Sequence, residues 1–227
     1  MVTIPSSSQT IPPLENGDRL TQVEFEWRYL NSPQIQKAEL IEGVVYVASP
    51  VRLRNHGRPH ANIIGWLFVY ASATPGVDLA DNTTVRLDGD NQPQPDAMLR
   101  IEPEKGGNSW VSEDDYVEGA PELIAEVAAS SVSYDLNDKL NAYRRNGVKE
   151  YLVWQMYENK LDWFVLQQGR YVTLKPDEEG IIRSQVFPGL WLSVSALCEG
   201  NRGELLTVLQ TGLASQEHAD FLASLAG

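Results

Sequence analysis

The sequence predicts an α/β protein, a mixed sheet sandwiched between helices. Three observations carry that prediction. Short apolar runs of strand length occur at Asp96–Ile101, Leu123–Val127 and Glu150–Met156. Two helical patterns, one from about Pro59 and one from about Asp135, separate strand segments. After an opening hairpin the order is helix, strand, strand, strand, helix, strand, which suits layers packed on one sheet.

The elements follow in order. Residues 1–20 carry Pro, Ser, Thr and Asn with little apolar pattern and read as a flexible arm. Thr21 with Glu24 three residues on forms a capping box, and Val23, Trp27 and Leu30 recur at helical spacing as the expected buried face. Ala38 to Ser49 reads as two strands around a Glu42-Gly43 turn. From Pro59 a helix presents Ile63, Ile64, Leu67, Phe68 and Ala71 on one face, and Pro75-Gly76 ends it. Asp81–Leu87 alternates as a strand, and 102–120 is a charged loop. Asp135 or Asn137 is the expected cap of the second helix, whose inner face is Leu136, Leu140 and Tyr143 and whose end is Asn146-Gly147. Strands at about 161–167 and 171–174 follow, then a late-packing segment from Phe187 to Val194. The tail has Leu205, Val208 and Leu209, then Phe221, Leu222 and Leu225, at helical spacing. With no repeat and no linker, residues 21–227 read as one domain with its core at about 38–156.

Composition narrows the function classes. The 227 residues include 18 Lys+Arg and 31 Asp+Glu, a net charge of −13, which argues against holding nucleic acid by bulk charge. It leaves open an enzyme that meets DNA through a local patch, since a metal site itself needs carboxylates. The 42% hydrophobic content supports a packed core, and the lone Cys198, expected to be buried, excludes an internal disulfide framework. No apolar run is long enough to span a membrane, and the first residues lack the pattern of a secretory signal, so a cytoplasmic setting is expected. There is no phosphate-cradling glycine motif.

Two acids carry the chemistry. Asp96 opens one apolar strand and Glu126 interrupts another. A carboxylate in a buried strand is costly unless paired, protonated or bound to a metal. Two that converge can hold Mg²⁺ through hard oxygen ligands, and Lys139 on the following helix can orient the attacking water. From spacing alone a blander reading stands beside it, in which Asp96 merely starts a strand and Glu126 pairs with Arg144 or Arg145.

Six segments then carry a resemblance. They are Ala38–Gly43 with Val45-Tyr46, His56-Gly57, Pro95-Asp96, Ala120–Val127, Tyr134 through Lys139 to Glu150-Tyr151, and Phe187–Leu190 with Leu192. In that order they resemble the Uma-two family of restriction-type endonucleases, within the PD-(D/E)XK nuclease superfamily, over about residues 20–198. The resemblance implies a restriction-endonuclease-like core with an added N-terminal helix and hairpin and extra C-terminal strands and helices. It implies Asp96 and Glu126 as ligands of Mg²⁺ (or Mn²⁺), Glu39 as a third acid, and Lys139 as the lysine that positions water and offsets phosphate charge. The substrate would be DNA, cut to leave a 5′-phosphate. The superfamily's usual lysine position is Ala128 here, and Ala128-Ala129-Ser130-Ser131 replaces the family's leucine-serine-proline-serine. The alternative is therefore a catalytically inactive nuclease-fold module for binding or assembly. A homodimer is a further expectation, with the apolar tail and the Trp191 region as its surface.

Other residues have sharper and blander readings. His56 and His60, four apart, offer two ligands on one helix face, but no acid lies between them and Pro59 disturbs the turn, so a capping or site-edge role competes. Arg52, Arg54 and Arg58 form either a local DNA patch or a solvated loop. Ser130, Ser131 and Ser133 suit turns and caps, His218 reads as solvated, and Trp154, Trp163 and Trp191 read as core.

Overall fold

The computed structural model describes residues 11–226. The first ten residues of the expected arm lie outside that range, and its second half is not loose. Leu14 is buried, Gly17 N–H donates to the Val45 carbonyl, Val45 N–H to Asp18, and Leu20 N–H to Gly43. Backbone pairing along the hairpin edge outweighs a composition poor in apolar residues.

α1 (Gln22–Leu30) begins at Thr21, whose hydroxyl accepts from the Glu24 N–H. Its buried residue is Phe25, stacked on Tyr29, and not the expected stripe: Val23, Trp27 and Leu30 are exposed. A nine-residue helix carries two apolar stripes, and the one that meets Leu14, Leu40 and Val45 is buried. β1 (Ala38–Ile41) and β2 (Val44–Val47) pair antiparallel, with Glu42 and Gly43 both in the left-handed region that a two-residue hairpin turn requires. A π-helical turn, Leu53–Gly57, leads into α2 (Arg58–Ser72). Its buried stripe is Ile63, Trp66, Leu67 and Tyr70, while Phe68, expected inside, points outward.

The expected strand at 81–87 is split. β3 (Val77–Asp81) joins the main sheet, whereas β4 (Val85–Arg86) leaves it. The long loop supplies β6 (Trp110–Val111) and β7 (Val117–Glu118), which pair with β4 in a small three-stranded sheet. β5 (Ala97–Ile101) and β8 (Leu123–Ala128) are antiparallel, and β8 runs parallel to β9 (Glu150–Gln155). β10 (Lys160–Gln167) and β11 (Arg170–Thr173) complete a mixed sheet of order β11-β10-β9-β8-β5-β3. The crossover from β8 to β9 is α3 (Val132–Tyr134), a π-helical stretch (Asp135–Lys139) and α4 (Leu140–Asn146), closed by Gly147 at φ 84°.

Every residue of β5, β8 and β9 is buried, as expected where both faces of a sheet are covered. Leu99, Leu123, Ala125, Val127 and Leu152 face the layer of α2 and the C-terminal helices. Met98, Ile124, Ala128, Tyr151 and Val153 face the layer that contains Tyr143.

β12 (Ile181–Arg183) and β13 (Trp191–Ser193) form a hairpin before α5 (Val194–Glu199), α6 (Arg202–Leu213) and α7 (Gln216–Ala226). Leu205, Leu209 and Leu225 pack into the main core. His218 is not solvated: it is 3% exposed, with Nε2 2.9 Å from the Thr74 hydroxyl and Nδ1 3.0 Å from the Leu213 carbonyl. Cys198 is half-buried. No described helix is long and apolar enough to cross a membrane.

Candidate active site

The antiparallel register that sets Ala97 opposite Ala125 and Leu99 opposite Leu123, carried one residue further, brings Asp96 level with Glu126. Alternation then aims both side chains at the α4 side of the sheet, the side of Met98 and Ile124. Asp96 N–H lies 3.3 Å from Glu126 Oε2, and Val127 N–H donates to Asp96 Oδ2 at 2.9 Å. The two carboxylates are 5% and 4% exposed and line one cavity of about 840 Å³. Glu39 from β1 and Lys139 from the β8–β9 crossover line it too, so all four residues singled out in the sequence meet there.

Lys139 lies within a cage of acids. Its Nζ is 2.8 Å from Glu126, 2.9 Å from Glu39 and 3.8 Å from Asp135. Ala128 is fully buried in the same core cluster as Tyr143 and Tyr151, so the lysine reaches the glutamate from the helical crossover. The Tyr143 hydroxyl donates to Glu126 Oε1 at 3.1 Å, one turn beyond Lys139 on the same face. Asp135 does not cap a helix. The helix starts at Val132, which places Asp135 four residues before Lys139 on its buried face. Asn137 is likewise inside the helix and donates to the Ser133 carbonyl.

Asp96 has partners on its other side. His56 Nε2 is 3.1 Å from Oδ2, and Lys37 Nζ is 3.4 Å from Oδ1. His60 Nε2 contacts the Asp96 carbonyl at 2.8 Å and Asp81 at 3.0 Å. The two imidazoles thus fix the Asp96 segment from α2 and the turn before it, which is the site-edge reading of His56. Of the three loop arginines, all exposed, only Arg52 lines the cavity, together with Ser130 and Ser131. Arg145 is instead paired with Glu42 and Lys149 with Glu122.

The electrostatics follow from burial. Burial resists ionisation of Asp96, yet the His56 hydrogen bond, the Lys37 charge and the Val127 N–H hold its carboxyl below the usual carboxylate range. Burial pushes Glu126 up to about 8, and Asp96, Asp135 and Glu39 add to the shift against the pull of Lys139. Burial also disfavours the Lys139 charge, but Glu126 and Glu39 more than restore it, so the ammonium persists. Four acids, Glu39, Asp96, Glu126 and Asp135, line the cavity, and repulsion among them adds to the burial that raises Glu126. Among the described residues no three His, Cys, Asp or Glu side chains are grouped to hold a metal between them. Asp96 and Glu126 remain as two carboxylates, and Mg²⁺ takes one or two carboxylates and completes its shell with water and phosphate oxygens. The buried Tyr134 hydroxyl in the same wall has no partner among the described residues.

Sequence reasoning missed Lys37 and Asp135. A signal for Lys37 existed: it lies two residues before Glu39, so an extended backbone puts both on one face.

A family model described as "Putative restriction endonuclease" matches residues 23–195. The chain belongs to the Uma2 family. The match spans all four residues of the candidate site and stops before α6 and α7. A crystal structure titled as "a putative nuclease belonging to DUF820" from Anabaena variabilis aligns with a TM-score of 0.56 at 14% identity. The alignment covers 76% of this chain and 96% of that one, so the two share an α/β fold. Among curated proteins none matches the sequence.

Proposed function

We propose that this Uma2 protein is a metal-dependent endonuclease that hydrolyses DNA phosphodiester bonds. The observation that carries the reading is the meeting of Asp96, at the start of β5, and Glu126, on β8, in one cavity with Lys139 at 2.8 Å from Glu126. Asp96 and Glu126 would hold Mg²⁺ or Mn²⁺. When bound, the ion supplies Lewis acidity that makes water a nucleophile and offsets charge on the phosphate. Lys139 and Tyr143 fix the Glu126 carboxylate from the helix side, and Val127 N–H and His56 fix Asp96. Glu39 shares Lys139 and accepts from Gln94 N–H, so it holds the lysine in place between two acids. The attacking water would enter through the cavity and be positioned by Glu126, whose carboxylate Lys139 orders.

Nicking of supercoiled plasmid tests the reading, comparing wild type with Asp96→Ala and Lys139→Ala, with and without Mn²⁺. Metal-dependent nicking by wild type alone is expected. Equal nicking by all three would place the activity elsewhere, and none from wild type with metal bound would make this a nuclease fold that binds without cutting.

A further inference from the structure

Two lysines line the cavity, and they differ in what they have left to offer. An ammonium has three N–H donors. Lys139 has three carboxylates within 3.8 Å and its side chain is 4% exposed, so its charge is spent on acids and shielded from anything entering the cavity. Lys37 lies on the other side of Asp96. Its Nζ donates to Asn82 Oδ1 at 2.9 Å and to Asp96 Oδ1 at 3.4 Å, which leaves one donor, and its side chain is 25% exposed.

Lys37 is also held in place. It precedes β1, whose register with β2 is fixed from Ala38 opposite Val47. Asn82, its partner, is pinned by its own carbonyl, which accepts from Gln94, and by its amide, which donates to Asp81. A positioned, partly exposed ammonium beside a carboxylate oriented for a cation is the arrangement that binds an anion next to that cation. We infer that Lys37 is the phosphate-binding residue of the site, donating its free N–H to a non-bridging oxygen of the scissile phosphate. No bond is made or broken by Lys37. It holds the phosphate against Asp96 and offsets the charge that builds on it. The inference rests on the nuclease reading for the identity of the substrate, and it divides the labour between the lysines, with Lys139 ordering the acids and Lys37 meeting the ligand.

The test pairs a binding measurement with a cleavage measurement. Calorimetry with thymidine 3′,5′-bisphosphate and Mn²⁺ should show binding by wild type, a loss of at least about tenfold in Lys37→Met, and recovery in Lys37→Arg, as expected for one charge-assisted hydrogen bond. Mn²⁺ affinity of Lys37→Met measured without the bisphosphate should equal or exceed that of wild type, because a cation that competes for Asp96 is removed, whereas a misfolded or metal-dead variant would lose Mn²⁺ binding. Plasmid nicking by Lys37→Met should fall with the bisphosphate affinity. Wild type that binds the bisphosphate through Lys37 but nicks nothing would end the nuclease reading while keeping the phosphate site. Equal bisphosphate binding by Lys37→Met and wild type, or none by wild type, would overturn the assignment of Lys37.

Discussion

Glu126 shows how a single residue can serve a site at the expense of the fold. Its carboxyl is 4% exposed, faces Asp96, Asp135 and Glu39, and has one lysine, one tyrosine and the Asp96 N–H for partners. A buried group surrounded by like charge is destabilising until a cation arrives. Above about pH 8, where Glu126 is ionised, Glu126→Gln keeps the shape and removes one buried negative charge, while Lys139 retains Glu39. We therefore expect Glu126→Gln to unfold at the same or a higher temperature than wild type in chelator, and to lose Mn²⁺ binding. A melting temperature several degrees below wild type would mean that the Lys139–Glu126 pair stabilises the fold more than burial and repulsion oppose it. The residues whose place in the cavity was legible from the sequence are those whose chemistry conflicts with their surroundings, Asp96 at the start of an apolar strand and Glu126 within one. Lys37, a lysine in a polar stretch before a strand, presents no such conflict, and only the pairing of β1 with its neighbours brings it to Asp96.

Among the elements, the central strands β5, β8 and β9 and the hairpin turn follow from local pattern, because short apolar runs and a left-handed Glu42-Gly43 leave little choice. The helix errors lie where an element has two faces to choose from. α1 buries Phe25 instead of Val23 and Trp27, and α2 turns Phe68 outward, since the partner surface decides and that surface is distant in sequence. β9 carries a testable case. Its first residue, Glu150, is fully buried and ties the 184–187 turn to the sheet. Its carboxyl accepts from the Ser184 hydroxyl, the Gln185 and Val186 N–H groups and Trp163 Nε1. Burial nevertheless pushes this carboxyl up to about 7 from 4.5, and the Ser184 hydroxyl can turn to accept a hydrogen bond from the protonated form. The folded state then takes up this proton more readily than the unfolded one. The resulting stabilisation is complete below about pH 4.5 and is lost as pH rises through about 7, amounting to at most about 3 kcal/mol. Glu150→Gln lacks this proton, so the difference in melting temperature between wild type and Glu150→Gln should move against wild type from pH 5 to pH 8 (about the span of the two pKa values). A difference that stays constant across that span would show that the four donors keep Glu150 ionised throughout.

At the scale of the whole molecule, the tail belongs to the core although the family match ends at residue 195. Leu205, Leu209 and Leu225 close the main hydrophobic cluster, and Gly212 lies so near the Gly189 carbonyl that an added Cβ would sit 2.2 Å from it. The apolar residues expected to face a partner are thus largely consumed within the chain. What the molecule leaves unbalanced is charge. A net −13 repels DNA at long range and attracts divalent cations to many places, so metal binding at the site must be separated from general screening. Thermal unfolding separates them, because a specific site stabilises by mass action while screening acts on wild type and variant alike. At about 100 times its Kd, Mn²⁺ held by Asp96 and Glu126 would stabilise wild type by about 2.7 kcal/mol, a rise of about 5–10 °C for a chain of this size. Asp96→Ala, one charge less negative, should show only the shared screening shift. An equal rise in both proteins would place the cation elsewhere on this acidic surface and remove the metal from the candidate site.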